Sequence, residues 1–399
     1  MQNYDFLIIG AGIFGLTSAI ELKKRQYSVA ILNPDVIPHP LAASTDISKI
    51  VRMEYGSDRE YFDMAEICMQ RWKEWNDFFG KQLYHEVGML MLCRDRLKSG
   101  NQEYERKSYN HLLEKNYPVE EISYEEMPQR FPVIKRDSYK EVHFNPTAGY
   151  VEASEVLKTL AEYAQELGVD IHLGQTAETF TIKKNTFISL KTREGDNFSA
   201  GHCIVAAGSH TPLLVPELQP YMKASGHPVF HLKPIDPEPF QADKLGVFMA
   251  DISNTGWYGF PLHPKQGVIK IGRHQEGLHL HPEKDDRRIT DQEVEACRNF
   301  LRTSIPQLVD APLVYTRRCL YTDTLDGHFW IDRHPEIKGF SVSSGGSGHA
   351  MKMAPLLGEM TADIAEGKIH RFSQRHLWRE LKSDTIQTEE SRFVKDRKL

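Results

Sequence analysis

Asp5-Phe6-Leu7-Ile8-Ile9 is a short apolar run that breaks directly into Gly10-Ala11-Gly12-Ile13-Phe14-Gly15. Residues 16–23 continue in helix-forming residues, and residues 28–32 (SVAIL) form a second apolar run of strand length. The pattern reads as a β-α-β unit with G-x-G-x-x-G at its first turn, the arrangement that binds a dinucleotide pyrophosphate. Gly10 permits the tight turn, Gly12 lets backbone approach the phosphates, and Gly15 lets the helix pack closely on the strand. The N–H groups and positive end of that helix then face the anion. Ala19 keeps the same helix face small. The residue closing the second strand, where an acid usually meets the ribose hydroxyls, is Asn33, which hydrogen-bonds without charge.

With 399 residues the chain is expected to form two domains. Its 40% hydrophobic and 26% charged residues are ordinary for a soluble globular protein, and a net charge of −6 offers no basic field for nucleic acid. Cys68, Cys93, Cys203, Cys297 and Cys319 are scattered without a C-x-x-C pair, so neither a disulfide framework nor a metal site is expected. No apolar run is long enough to span a membrane. The N-terminal apolar run lacks a basic flank, which argues against a signal peptide. A cytoplasmic monomer is the expectation. Arg397-Lys398-Leu399 matches a peroxisomal S-K-L address only in its last two positions, which keeps the peroxisome as the alternative.

Pro-rich residues 34–43 lead to Ser44-Thr45-Asp46, a pattern that predicts a helix cap. Apolar spacing predicts a long helix over residues 61–79 and a strand over 88–93. The polar stretch 94–140 reads as part of a different lobe. A helix over 153–167 and strands at 170–173, 182–190 and 202–207 follow, the last ending in Ala206-Ala207-Gly208 and returning the chain to the nucleotide sheet. Alternating residues 222–314 predict a mostly antiparallel sheet, with a hairpin whose arms are 257–261 and 268–272. From Cys319 the chain is expected to rejoin the first domain, through a strand at 340–344, a Gly-rich turn at 345–348 and a helix at 353–366.

Several side chains point to chemistry. The second Gly-rich turn, holding Gly346 and Gly348, again lets backbone approach a ligand at a helix start, and Lys352 adds a positive charge there. Lys270 and His274 share one face of a strand, with Gly272 leaving space between them. A lysine facing into an apolar sheet is costly without a partner. Lys49 and Arg52, three apart, would share a helical face and could clamp a carboxylate.

The fingerprint at 10–15, residues 317–324 (RRCLYTDT), 326–335 (DGHFWIDRHP) and 345–352 (GGSGHAMK) together resemble the monomeric sarcosine oxidase family, whose relatives include N-methyltryptophan, pipecolate, saccharopine and fructosyl-amino-acid oxidases. The resemblance runs in the same order over nearly the whole chain. It implies an FAD-binding Rossmann-like α/β domain (α+β overall) interleaved with a mostly antiparallel substrate domain. Residues 1–90, 150–217 and 320–385 are assigned to the first, 91–149 and 218–319 to the second, and 386–399 to a tail. It implies FAD carried as a thioether on Cys319. Gly10, Gly12, Ile13, Phe14, Gly15, Asn33, Ser44, Thr45, Lys49, Ala177, Ala207, Gly208, Gly346, Gly348 and Lys352 would lie around the cofactor. Arg52 and Lys352, with Lys49, would bind a substrate carboxylate. Lys270 would activate oxygen, with His274 and Tyr258 beside the substrate.

Ser44-Thr45-Asp46-Ile47-Ser48-Lys49 is similar to the saccharopine and fructosyl branches. Fructosyl oxidases, however, carry a Glu where this chain has His274, which favours an unglycated substrate. The expected activity is FAD-dependent oxidation of a secondary-amine amino acid (N-methyl, cyclic imino or N-carboxyalkyl), with O2 reduced to H2O2. A deglycating fructosyl-amino-acid oxidase or an FAD dehydrogenase with another acceptor are the alternatives. No nucleic acid, membrane or metal partner is expected.

Overall fold

The computed structural model describes residues 3–98, 102–275 and 277–382, so the expected tail at 386–399 and the last three residues lie outside it. The opening stretch folds as read. Strand Asn3–Ile9 runs parallel to both Val29–Asn33 and Asn197–Val205, and helix Ile13–Lys24 follows the glycine turn. Strands Phe340–Ser344 and Asp170–Leu173 extend this sheet in parallel. An antiparallel hairpin, Ala177–Lys183 and Thr186–Thr192, covers its far edge. The expected single strand at 182–190 is therefore two. Lys184 and Asn185 both take positive φ (47° and 55°), the geometry of a tight hairpin turn that the apolar pattern around them conceals.

Two close approaches fix the fingerprint. Gly10 has φ +101°, and a Cβ there would lie 2.7 Å from the Ala206 carbonyl oxygen. A Cβ on Gly15 would lie 1.9 Å from the Gly10 carbonyl oxygen, so any side chain forces helix and strand apart. Gly15→Ala is expected to cost more than the ~1–3 kcal/mol of ordinary overpacking, because the clash is with backbone. Loss of bound flavin absorbance together with a lowered melting temperature would show it; normal flavin content would contradict this packing.

The second sheet has nine strands and is antiparallel except where Val247–Ala250 runs parallel to Met89–Cys93. Its spine is Met222–Leu232, paired along its length with Leu313–Thr324 and at one end with Ile269–Arg273. Trp257–Gly259 and Ile269–Arg273 form the expected hairpin, with Tyr258 opposite Gly272. Cys319 lies within this sheet, and the chain leaves it only after Thr324. The expected changes of domain at 90/91 and 319/320 thus fall inside strands of the second sheet.

The long helix Arg59–Phe79 forms as its spacing requires, capped by Asp58, whose carboxylate accepts from the Tyr61 N–H, and ended by Gly80 in the left-handed region. Helix Glu103–Glu114, expected in the other lobe, packs His111 against Phe62 with ring centroids 4.0 Å apart and buries Leu112 in the nucleotide-side core. Residues 44–48 form no helix. They lead into strand Lys49–Val51, which pairs with Gly149–Val151. Lys49 and Arg52 therefore do not share a helical face.

Candidate active site

The fingerprint helix starts without an acidic residue in its first turn and without a cap from Gly12. The Ser44 hydroxyl accepts from the Ile13 N–H at 3.1 Å, and the Asn33 side-chain oxygen accepts from the Ala11 N–H at 3.0 Å. Asn33 also donates to the Asp35 carbonyl, so its amide ties the fingerprint turn to the chain that follows the second strand. The Asn33 carbonyl accepts from Gln175 N–H, bringing the strand that begins at Ala177 beside it. The Ala207 Cα lies 3.3 Å from the position of a Gly10 Cβ, and Gly208 turns the chain away at φ +54°. At the second Gly-rich turn a Cβ on Gly346 would lie 3.0 Å from the Ala350 Cβ and 3.4 Å from the Phe14 ring. The two glycine turns therefore sit side by side at the positive end of one helix. Their bare backbone fits a pyrophosphate and its attached ring system.

Lys270 is 2% exposed and points where the period of two placed it. Its Nζ lies 2.8 Å from Asp46 Oδ2, donates to the Ser48 carbonyl, and stands 4.9 Å over the Phe260 ring. Asp46 is a hub that residue spacing did not show. Arg317 reaches it at 3.3 Å while donating to the carbonyls of Thr45 and Pro40, and His231 Nε2 lies 3.3 Å from its other oxygen. Burial alone would raise the Asp46 carboxyl, but Lys270 and Arg317 outweigh it and hold it well below the usual carboxylate range. Burial pushes the Lys270 ammonium down to about 8 against the pull of Asp46. A pair this deep holds only because each charge has partners.

Arg52 and Lys352 come together although 300 residues separate them. The Arg52 guanidinium lies 5.1 Å and the Lys352 ammonium 5.0 Å from the centroid of the same Tyr55 ring, and both side chains are buried. The Trp72 indole donates to the Lys352 carbonyl at 3.0 Å, and the Tyr55 hydroxyl meets His349 Nδ1 at 3.1 Å. Two buried cations at one aromatic ring repel each other, and an anion bound beside both lowers that cost. Lys49 lies outside this pair and acts on Asp46 and Lys270 through its charge.

His274 follows the hairpin strand, its N–H donating to the Gly256 carbonyl at 2.7 Å. Its ring lies 6.1 Å from Tyr321 and 6.3 Å from His227. A Cβ on Gly348 would lie 2.5 Å from Tyr321 and 3.1 Å from His274, so the second glycine turn abuts this cluster. Tyr258 lies over Gly272, its hydroxyl 2.4 Å from where a Cβ would stand, which explains the glycine between Lys270 and His274. Cys319 Sγ is 3.7 Å from Arg317 and packs beside Ala43, adjacent to the Ser44 that meets the fingerprint helix. Asp46, Tyr55, Tyr321 and His349 escaped sequence reading as site residues. Tyr321 and His349 stand inside segments already singled out, and their burial beside Cys319 and Lys352 is what distinguishes them.

The chain is 28% identical to the L-saccharopine oxidase of Schizosaccharomyces pombe, over 95% of its length and 94% of the relative's. It is 27% identical to the peroxisomal sarcosine oxidase of Homo sapiens, covering 92% and 96%. The fold superposes on Amadoriase II, a fructosamine oxidase from Aspergillus fumigatus, with a TM-score of 0.82 at 22% identity over 98% and 94% of the two chains. The model of the DAO family, FAD-dependent oxidoreductases, matches residues 5–364, so with its two glycine turns and the buried cations around them this chain belongs to that family.

Proposed function

We propose that this enzyme oxidises amino acids whose nitrogen carries a second carbon substituent and passes the electrons to O2. The observation that carries the reading is the pair Arg52 and Lys352 over Tyr55, a preformed site for one carboxylate beside the second glycine turn. The saccharopine and sarcosine oxidases among its relatives act on amines of this kind. FAD, when bound, supplies the two-electron redox chemistry, accepting a hydride equivalent from the C–H bond beside the amine nitrogen and delivering the electron pair to O2 as H2O2. The remaining imine is hydrolysed by water to a carbonyl compound and an amine.

The chain's own residues do the rest. Arg52 and Lys352 fix the substrate by its carboxylate, and such positioning converts a loose encounter into an aligned one. Lys270, held by Asp46, keeps a positive charge in a site closed to water, where negative charge on oxygen is stabilised. Tyr258 and His274 wall the substrate volume, and Gly10, Gly12, Gly15 and Ser44 hold the pyrophosphate. The amine panel sarcosine, N-methyl amino acids, pipecolate, proline, saccharopine and fructosyl-valine tests the reading. Anaerobic bleaching of the flavin by a secondary-amine amino acid, with peroxide formed in air, is expected. Bleaching by fructosyl-valine alone would move the enzyme to the deglycating branch, and bleaching without peroxide would make it a dehydrogenase.

Cys319 is the residue that would carry FAD covalently. Its sulfur sits 3.7 Å from the Arg317 guanidinium and packs beside Ala43, next to the Ser44 that meets the fingerprint helix. After acid precipitation the yellow colour is expected in the protein pellet of the native chain and in the supernatant of Cys319→Ala. Colour in both supernatants would remove the covalent role and leave the fold intact.

A further inference from the structure

Asp46 stands where the loop that follows strand Val29–Asn33 crosses from the nucleotide side to the second sheet. Its backbone is fixed on the nucleotide side, the carbonyl accepting from both the N–H and the hydroxyl of Ser154, each at 2.9 Å, in helix Ala153–Glu166. Its carboxylate is fixed on the other. Lys270, His231 and Tyr315 lie opposite one another on three neighbouring strands, and Arg317 and Cys319 follow Tyr315 at two-residue intervals on the same face. The carboxylate rests against this row. Lys270 Nζ and Arg317 Nη2 meet its Oδ2 at 2.8 and 3.3 Å, while His231 Nε2 at 3.3 Å and the Ile47 N–H at 2.8 Å meet its Oδ1.

One anion thus serves two buried cations with different neighbours. Lys270 stands over Phe260 in the hairpin that carries Tyr258. Arg317 holds the carbonyls of Pro40 and Thr45 and lies 3.7 Å from Cys319 Sγ. The cations outnumber the anion, because Lys49 adds a third positive charge whose effect on Lys270 opposes that of Asp46. The Tyr258 phenol and the Cys319 thiol face the same cluster from the hairpin and from strand Leu313–Thr324. In a site this closed, a unit charge a few ångströms away moves a neighbouring ionisation by about one to three pH units. Asp46 therefore decides more than where Lys270 points.

We infer that Asp46 is the positioning residue of the oxygen half-reaction, a single buried carboxylate that holds Lys270 charged and, through Arg317, locks that charge to the strand carrying Cys319. The inference rests on the proposed transfer of electrons to O2 and adds what sets the charge there. Its balance is struck between Asp46, which favours the ammonium, and Lys49 and Arg317, which oppose it.

The test follows reoxidation of the substrate-reduced holoenzyme by O2 as a function of pH in the native chain, Asp46→Asn and Lys49→Met. The native rate is expected to decline above about pH 8, where Lys270 loses its proton. In Asp46→Asn the midpoint of that decline is expected about one pH unit or more lower, because the anion that favours the ammonium is gone. In Lys49→Met it is expected higher, because a repelling charge is gone. A residue that merely held the fold would not move the two midpoints in opposite directions. Melting temperature near pH 6 reads the same pair without turnover. Lys270→Met is expected to lower it less in the Asp46→Asn background than in the native one, since without Asp46 the ammonium is a buried charge that has lost its counterion. A midpoint that does not fall in Asp46→Asn, one that does not rise in Lys49→Met, or equal melting losses in the two backgrounds would overturn the inference. Where Asp46→Asn gives no holoenzyme, Lys49→Met decides. Native reoxidation in Lys270→Met would instead remove the oxygen role of Lys270, and the melting temperatures would then decide alone whether Asp46 holds it.

Discussion

Lys270→Met is expected to leave reduction of the enzyme by its amine substrate largely intact and to slow reoxidation by O2 by ~100-fold or more, the scale of removing one preorganised charge or donor from a closed site. The two half-reactions separate in stopped-flow absorbance, bleaching under nitrogen and colour return on mixing with oxygenated buffer. The expectation follows from burial. At 2% exposure the ammonium is screened by almost no water, and Asp46 fixes its position. Methionine keeps the length and the contact with Phe260 and removes the ammonium with its bonds to Asp46 and the Ser48 carbonyl, while Arg317 and His231 still face Asp46. An unchanged reoxidation rate would end the role of Lys270 and return the dehydrogenase reading.

The same group gives a pH dependence with a definite sign. Burial lowers the Lys270 pKa from 10.5 to about 8, so the ammonium is present below that value and lost as pH rises through it. Oxygen reactivity should therefore decline above about pH 8, and Lys270→Met should show no such decline. For stability the sign is opposite. The folded chain releases this proton before the unfolded chain does, so burying the charge costs stability in full below about pH 8, and the cost falls away between about 8 and 10.5.

What sequence showed and what it hid follow from the range of each interaction. The glycine fingerprint, helix Arg59–Phe79 and the hairpin bearing Tyr258 and Lys270 are written in local periodicity, and the structure returns them within a few residues. Lys270 and His274 share a face because a strand alternates. Asp46 is different. It stands 224 positions from Lys270 and 271 from Arg317, and no local pattern records a pairing made by folding two sheets together. Its own neighbours, Ser44 and Thr45, suggested a helix cap; in the fold the Ser44 hydroxyl accepts from the Ile13 N–H and the Thr45 carbonyl accepts from Arg317. The boundary drawn after Cys319 falls inside a strand for a related reason: the twelve residues of Leu313–Thr324 are held by Met222–Leu232, about ninety positions earlier. The resemblance supplied roles for Arg52 and Lys352, but the ring that joins them, Tyr55, became visible only in three dimensions.

That shared ring sets the second large effect. Arg52→Met is expected to lower kcat/KM for a carboxylate-bearing amine by about 30- to 5000-fold, the ~2–5 kcal/mol that follows from truncating one partner of a buried, hydrogen-bonded charge pair. Most of the loss should fall on KM if the carboxylate contact is equal in ground and transition states, and on kcat as well where the contact aligns the reacting C–H. A control separates anchoring from collapse of the site. The native enzyme should prefer the free amino acid over its methyl ester by a large factor, and in Arg52→Met this preference should shrink while the rate on the ester stays near the native value. Lys352 still stands over Tyr55 in that variant, so a residual preference for the acid is expected, and it should vanish in the double variant with Lys352→Met. If the ester and the acid lose activity equally, the variant has disturbed the packing around Tyr55 and Tyr104, and Arg52 is a structural cation over two aromatic rings. The ratio of the two substrates, rather than either rate, therefore decides whether this pair of cations reads a carboxylate.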